Sequence, residues 1–212
     1  VALLVKRNEV ALIVAGTIVV LAAHAWLGLS GDKSFNTTSR ESGIENLRPV
    51  SVDGALRVIS INTWHKLKDS TALHDYLVRE RADVVVMTEV GPDKRRLLDE
   101  LKTAYPYQVH CADQWVCAMA LLSRYPIADQ GAARVAVEQP PLVWARVKTM
   151  DAQVTVVGTH LHRPSRSPWL HDKHVTSLIQ FISLINGPTV LAGDFNTAPW
   201  SNSFKRLMLE AW

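Results

Sequence analysis

Polar residues able to bind a metal ion or a phosphate follow four apolar segments of the chain. Asn62 follows RVISI, Glu89 follows DVVVMT, His160 follows VTVVGT, and Asp194 with Asn196 follows TVLAG. Each apolar segment is typical of a buried strand, and a strand end holds a side chain rigidly while exposing it in a cleft. One such residue alone is most often a turn residue or a cap. Their repetition at successive strand ends predicts a single catalytic cluster.

The residue types match hydrolysis of a phosphoester bond with a divalent cation. Mg²⁺ takes one or two protein carboxylates together with phosphate oxygens and water. We therefore expect Glu89 to bind Mg²⁺ or Mn²⁺, with Asn62 as a neutral oxygen neighbour. Asp194 would orient or deprotonate the attacking water, and His160 and Asn196 would bind the non-bridging phosphoryl oxygens. The sequence contains no P-loop, no Gly-x-Ser-x-Gly elbow and no clustered His/Cys metal motif.

The segments between these residues predict a mixed α and β domain. Helices early and late in the domain, with a block of strands between them, favour two packed sheets flanked by helices. The predicted strands are 56–62, 83–89, 106–110, 116–122, 133–138, 142–149, 153–160 and 188–192, and the predicted helices are 70–80, one that Gly91-Pro92 opens, and 171–185.

Five short motifs in order resemble the endonuclease/exonuclease/phosphatase superfamily, from about Leu56 to Trp212. They are Ser60-Ile61-Asn62, Thr88-Glu89, Leu122-Ser123-Arg124-Tyr125-Pro126, Gly158-Thr159-His160-Leu161-His162 and Gly193-Asp194-Phe195-Asn196. The Thr-x-His form is most similar to the deoxyribonuclease and sphingomyelinase branches. The resemblance implies a four-layered α/β sandwich, with Glu89 and Asn62 at the metal, His160 and Asn196 on the phosphate, and Asp194 activating the nucleophile.

The substrate class stays open at this point. The resemblance implies a phosphodiester, either a nucleic acid or a lipid or small molecule, and no protein partner is predicted. The net charge of +3 neither supports nor excludes a nucleic acid, because such binders usually show a denser basic surface. A second hypothesis is a catalytically silent domain that serves as a membrane-attached binding module.

The N-terminal third predicts attachment to a membrane. Residues 10–29 carry no formal charge and have the length of a transmembrane helix, and the apolar residues 1–5 indicate the end of an earlier span. Lys6 and Arg7 favour the cytoplasmic side, so we expect an extracytoplasmic domain in a membrane-tethered, bacterial-type protein. The alternative is a signal peptide cleaved near Ala23-His24-Ala25 and a secreted domain. Residues 1–29 are thus assigned to the anchor, 30–55 to a linker and 56–212 to the enzyme domain.

The two cysteines leave two alternatives open. Cys111 and Cys117 lie six residues apart, and two thiols are too few for a structural zinc site. They form either a local disulfide, which requires an oxidising compartment, or two unrelated buried thiols.

The sequence departs from the superfamily pattern in two places. Thr88 stands where the family often has Gln. We expect this difference to tune the surroundings of the metal ligand. The chain stops at Trp212, whereas the resemblance implies a further Asp and a Ser-Asp-His ending. We therefore expect the domain to be incomplete at its C-terminus, with an unpaired edge beside the Gly-Asp-Phe-Asn strand.

The 212-residue chain should hydrolyse bis-p-nitrophenyl phosphate only at a trace rate with Mg²⁺ or Mn²⁺. The reason is that the histidine of the expected ending supplies general acid–base catalysis, which is worth about 10²–10⁴-fold. A version extended to the native C-terminus is the comparison. Equal rates for the two proteins would show that the catalytic histidine lies elsewhere, and His65, His162 and His171 would then have to be reconsidered for that role.

Overall fold

The computed structural model describes residues 2–6, 55–134, 136–150 and 152–211. The predicted membrane span, 10–29, and residues 30–54 of the predicted linker lie outside these ranges. Every helix within the described ranges is too short or too polar to cross a membrane.

The described residues form nine strands and four α-helices. The strands are β1 Ala2–Lys6, β2 Val58–Asn62, β3 Val84–Thr88, β4 Tyr107–His110, β5 Met119–Ser123, β6 Ile127–Ala133, β7 Leu142–Lys148, β8 Gln153–His160 and β9 Thr189–Asp194. The helices are α1 Thr71–Glu80, α2 Arg95–Glu100, α3 Pro168–Ser183 and α4 Asn202–Glu210, and 3₁₀ turns at Pro92–Lys94 and Leu101–Thr103 flank α2.

The strands form two mixed sheets. One sheet has the order β1-β9-β8-β7-β6 and the other β2-β3-β5-β4. The pairs β2–β3 and β8–β9 are parallel, and the other described pairs are antiparallel. Parallel pairing aligns Asn62 with Thr88 and His160 with Asp194, so the carboxyl ends of the strands within each pair lie side by side.

Three apolar clusters hold the layers together. In β3, where every residue is buried, Val85 and Met87 pack with α1 and α2, while Val84 and Val86 face the other sheet. Such an apolar run is expected of a strand covered on both faces. The third cluster joins the five-stranded sheet to α3 and α4. The predicted α/β sandwich of two packed sheets flanked by helices is therefore confirmed.

The structure differs from the sequence prediction at the sixth strand. A strand was predicted over 133–138, but β6 ends at Ala133 and Val137 lies exposed in the following loop. The alternation in ARVAVE imitates a half-buried strand, whereas tertiary contacts decide the structure of this segment.

The N-terminal residues also differ from the prediction. Residues 1–5 were interpreted as the end of an earlier membrane span, but Ala2–Lys6 pair antiparallel with β9, with Leu4 opposite Leu191. A short apolar run can satisfy its backbone groups in a sheet ladder as well as in a helix. The edge of β9 that we expected to be unpaired is thus occupied by β1.

A disulfide joins Cys111 and Cys117, with 5.8 Å between their Cα atoms. It closes the loop between β4 and β5, and the Cys111 amide also donates to the Met119 carbonyl at 3.0 Å. The structure therefore favours the local disulfide over two unrelated thiols.

Reducing this bridge should lower the free energy of unfolding by about 2 kcal/mol, because a small closed loop removes limited entropy from the unfolded chain. For a domain of this size, Tm should fall by about 4–8 °C with dithiothreitol. The Cys111→Ser/Cys117→Ser variant should have the lower Tm and no response to dithiothreitol. A wild-type Tm that dithiothreitol leaves unchanged would contradict the bridge.

Candidate functional site

The side chain of Asn62 lies between two carboxylates that come from different sheets. Its Nδ2 donates to Glu89 Oε1 and to Asp194 Oδ2, both at 3.0 Å. Its Oδ1 accepts from the Trp64 amide at 2.9 Å. The nitrogen of Asn62 therefore faces the acidic groups, and its oxygen, which we expected beside the metal, faces the backbone. Two carboxylates need a donor between them, which explains this orientation.

Glu89 is held by the residues that follow β2. The His65 amide donates to Glu89 Oε2 at 2.8 Å, and His65 Nδ1 lies 2.7 Å from the same oxygen. Burial alone would raise the pKa of Glu89, but the hydrogen bonds from His65 and Asn62 outweigh it and lower the pKa to about 2. Glu89 is therefore a carboxylate anion at neutral pH.

The ends of β2 and β3 turn sharply to place these groups. Trp64 has φ 51° and Glu89 has φ 59°, in the left-handed region that side-chain-bearing residues rarely adopt. Thr63 stabilises both turns, because its amide donates to the Thr88 carbonyl at 2.9 Å and its hydroxyl lies 3.0 Å from the carbonyls of Thr88 and Glu89. Such strain persists only where the surroundings fix it, and it is concentrated at functional sites.

His160 and Asp194 form the other half of the cluster, at the ends of β8 and β9. His160 Nε2 lies 3.7 Å from Asp194 Oδ2. Burial lowers the pKa of His160 below its usual range, although the negative charges of Asp194 and Glu89 act in the opposite direction. His160 is therefore neutral at pH 7 and has one ring N–H to donate.

The Gly-Asp-Phe-Asn segment needs each of its residue types. Gly193 has φ 141°, and a Cβ there would collide with the Thr159 carbonyl, so only glycine fits. Phe195 is buried against α3 and α4 and anchors the segment. The Asn196 amide donates to Asp194 Oδ1 at 3.1 Å, and Asn196 Nδ2 donates to the Leu161 carbonyl at 3.0 Å.

The structure thus brings all five predicted site residues together at one end of the sandwich. Asn62, Glu89, Asp194 and His160 lie in direct or near contact, and Asn196 is joined to them through Asp194. Their assigned roles in metal binding, phosphate binding and catalysis remain predictions.

A cleft of about 300 Å³ opens beside the cluster. Glu89 and His160 line it, together with residues that sequence analysis did not assign to the site. Among these, His65 follows Asn62 closely, so its position was a usable signal, whereas Arg134 lies in the segment predicted as a strand. The other lining residues include Trp115, Ala118, His162, Arg163, Arg166 and His174.

Two histidines of α3 support the wall of this cleft. The His162 amide donates to His174 Nδ1 at 3.1 Å, and His174 Nε2 donates to the Val137 carbonyl at 2.9 Å. His171 Nδ1 donates to the His162 carbonyl at 2.6 Å. His171 and His174 are both buried. His174 thus joins the loop after β8 to the loop before β7, and His171 adds a second bond to the loop after β8.

The donor set suits a hard cation. Within the described ranges, no group of three or more His, Cys, Asp or Glu side chains could hold a metal ion. The cluster instead offers the Glu89 and Asp194 carboxylates, which match the one or two protein carboxylates that Mg²⁺ takes beside water and phosphate. Zinc sites, in contrast, use closed sets of thiolates and imidazoles.

Several solved structures share this fold. Sphingomyelinase C from Streptomyces griseocarneus is 18% identical, with a TM-score of 0.56 over 74% of this chain and 69% of that chain. A mutant beta toxin from Staphylococcus aureus with bound magnesium ions is 17% identical, with a TM-score of 0.55 over 74% and 70%. Humanized D. rerio TDP2 is 18% identical, with a TM-score of 0.59 over 68% and 67%. At these identities the likeness establishes the fold.

A search by sequence among curated proteins found no match. A family model described as "Endonuclease/Exonuclease/phosphatase family" matches residues 59–209. This match covers more than half of the chain and includes all five predicted site residues. The chain therefore belongs to the endonuclease/exonuclease/phosphatase family.

Proposed function

We propose that this protein is a metal-dependent phosphoester hydrolase that acts on phosphodiesters. One observation carries the proposal: Asn62 joins the carboxylates of Glu89 and Asp194 beside the imidazole of His160, and Glu89 and His160 line a cleft. Acid, amide and imidazole groups in this arrangement suit attack of water on a phosphoryl centre.

Glu89 would hold the cation, Mg²⁺ or Mn²⁺, because its carboxylate is ionised and fixed by three hydrogen bonds. Asn62, whose amide nitrogen donates to both carboxylates, would align Glu89 with Asp194. When bound, the cation would polarise a phosphoryl oxygen and neutralise developing negative charge. The magnesium in the similar beta toxin structure supports this cofactor.

Protein side chains would activate the attacking water and bind the phosphoryl oxygens. Asp194, positioned by Asn62 and by the Asn196 amide, would orient the attacking water and take up its proton. The water oxygen bonds to phosphorus as the ester P–O bond breaks. The neutral His160 would donate its ring N–H to a non-bridging oxygen. Asn196 would bind a non-bridging oxygen of the same phosphoryl group, which is the role predicted from the sequence.

Substrate and location belong to the same proposal. The similar structures include a sphingomyelinase C and a TDP2 complexed with a single-strand DNA product, which supports a phosphodiester substrate of lipid or nucleic-acid type. The Cys111–Cys117 disulfide supports an oxidising, extracytoplasmic location, since such bonds persist outside the cytosol. Attachment to a membrane through residues 10–29 remains part of the proposal.

Glu89→Gln should reduce hydrolysis of bis-p-nitrophenyl phosphate by at least about a hundredfold in the full-length protein. The change keeps the side-chain shape but removes the charge that would hold the cation, and electrostatic groups of this kind contribute about 10²–10³-fold. Calorimetric titration with Mn²⁺ should show a matching loss of binding.

Glu100→Gln is the matched control. Glu100 is an exposed carboxylate that pairs with Arg96 at 2.7 Å on α2, outside the cleft. Its variant should keep wild-type activity and Mn²⁺ binding. Full activity in Glu89→Gln would remove Glu89 from the site.

The stability that Glu89 contributes should depend on pH in a defined direction. Its pKa of about 2 in the folded protein lies below the ordinary 4.5, so its ionised form stabilises the fold above pH 4.5. This contribution is lost as pH falls from 4.5 towards 2. In EDTA, the Tm difference between wild type and Glu89→Gln should therefore shrink across this interval. A difference that stays constant down to about pH 3 would contradict the hydrogen bonds to Glu89.

A further inference from the structure

Most arginines in the described ranges have an acidic partner there. Six of them lie within 4.0 Å of an Asp or Glu oxygen: Arg57, Arg79, Arg95, Arg96, Arg124 and Arg206. Five described arginines make no ion pair with a described carboxylate: Arg81, Arg134, Arg146, Arg163 and Arg166. Three of these five, Arg134, Arg163 and Arg166, line the cleft beside the cluster.

Arg134 is fixed in the wall of the cleft. Its Nη1 donates to the Val116 carbonyl at 3.2 Å and its Nη2 donates to the Val137 carbonyl at 3.1 Å. Its Nε is buried and has no partner among the described residues. Backbone carbonyls thus hold the guanidinium, while its positive charge is left without a counter-charge among those residues.

Arg163 and Arg166 also line the cleft, from the exposed loop after β8. The Arg166 amide donates to the Arg163 carbonyl at 3.0 Å, which forms a turn that keeps the two residues together. Burial lowers the pKa of His162, and the charges of Arg166 and Arg134 lower it further. The charge of Arg163 likewise acts on His160. These arginine charges therefore act on two histidines that line the same cleft.

The lining of the cleft consequently carries charges of both signs. Glu89 supplies a negative charge, suited to a cation, and the three arginines supply positive charges. Guanidinium groups bind phosphate through charge-assisted hydrogen bonds, which are stronger than neutral ones. A single phosphodiester carries one negative charge, which a cation held by Glu89 would already bind.

We propose that Arg134, Arg163 and Arg166 form a subsite for a second anionic group, a phosphate that neighbours the scissile phosphodiester in the substrate. This subsite rests on the proposed function and defines its substrate class. A substrate with an additional phosphate is favoured over a substrate whose only phosphate is the scissile phosphodiester. A substrate whose leaving group carries a quaternary ammonium is disfavoured, because its charge matches that of the arginines.

The first test measures anion binding without any turnover. Inorganic pyrophosphate is titrated calorimetrically into the full-length protein in EDTA, so that no cation is required. Wild type should bind pyrophosphate saturably, and Arg163→Gln/Arg166→Gln should bind about a hundredfold more weakly, at about tenfold for each lost charged contact. Both residues lie on an exposed loop, so Tm should change little.

Arg146→Gln provides the matched control. Arg146 is an exposed arginine of β7 that lacks an ion pair with a described carboxylate and lies outside the cleft lining. Its variant loses the same type of charge and should bind pyrophosphate as wild type does. Equal weakening in Arg146→Gln and in the double variant would overturn the subsite, because net charge alone would then explain the binding.

The second test compares chromogenic phosphodiesters that differ in one charged group. Thymidine 3′-phosphate 5′-(p-nitrophenyl phosphate) should be cleaved with at least about a tenfold higher kcat/KM than the p-nitrophenyl ester of thymidine 5′-phosphate. p-Nitrophenylphosphorylcholine should be the poorest substrate. The preference for the extra phosphate should disappear in Arg163→Gln/Arg166→Gln and persist in Arg146→Gln.

A lipid pair, phosphatidylinositol and phosphatidylinositol 4-phosphate in vesicles, identifies the source of the second phosphate. A larger preference within the nucleotide pair indicates a nucleic acid, and a larger one within the lipid pair indicates a phosphorylated headgroup. No preference in either pair, with hydrolysis still present, would overturn the subsite and leave the proposed function standing. Pyrophosphate binding lost in the double variant, without hydrolysis of any ester, would support the subsite and overturn the proposed function.

Discussion

Two carboxylates held on one amide are the constraint on which the rest of the site depends. Glu89 directly follows a strand of the four-stranded sheet, Asp194 ends a strand of the five-stranded sheet, and Asn62 donates to both. Like charges this close repel each other, and partial burial strengthens the repulsion. A neutral donor between them lowers that cost without adding a positive charge. The face-to-face packing of the two sheets is what brings the three side chains to the same place.

The backbone around the cluster is strained by this arrangement. Trp64, Glu89 and Asn196 all have positive φ values, and each directly follows, or lies within two residues of, the end of a strand. A strand that continued straight would point these side chains away from one another. Thr63 and the Leu161 amide, which donates to the Asp194 carbonyl at 2.9 Å, fix the turned ends by hydrogen bonds. Local strain therefore positions the site, and the buried strands behind it supply the stability that tolerates the strain.

The sequence predicts the parts of the molecule that depend on local pattern. Buried strands such as β3 and β9 are continuous apolar runs, and the polar residue after each run marks the strand end, so Glu89 and Asp194 could be found without a structure. Other parts depend on contacts between distant segments. Arg134 stands in a segment with the alternation of a strand, and only its bonds to Val116 and Val137 show that it lines a cleft. The pairing of Ala2–Lys6 with β9 is equally non-local.

Net charge alone does not reveal the arginines of the cleft, and from the sequence Arg163 and Arg166 are more readily interpreted as a solvated loop than as anion contacts. The chain has a net charge of only +3, which by itself indicates no particular partner. In the folded domain, however, most described arginines are neutralised by neighbouring carboxylates, whereas Arg134, Arg163 and Arg166 are not and lie in one cleft. The electrostatic field in a low-dielectric cleft depends mainly on the charges there that have no counter-charge. The net charge of the whole chain has little influence on it. The acidic cluster and the arginines therefore bring charges of opposite sign to one cleft. Such a lining suits a substrate with one phosphate beside a bound cation and a second phosphate at the arginines.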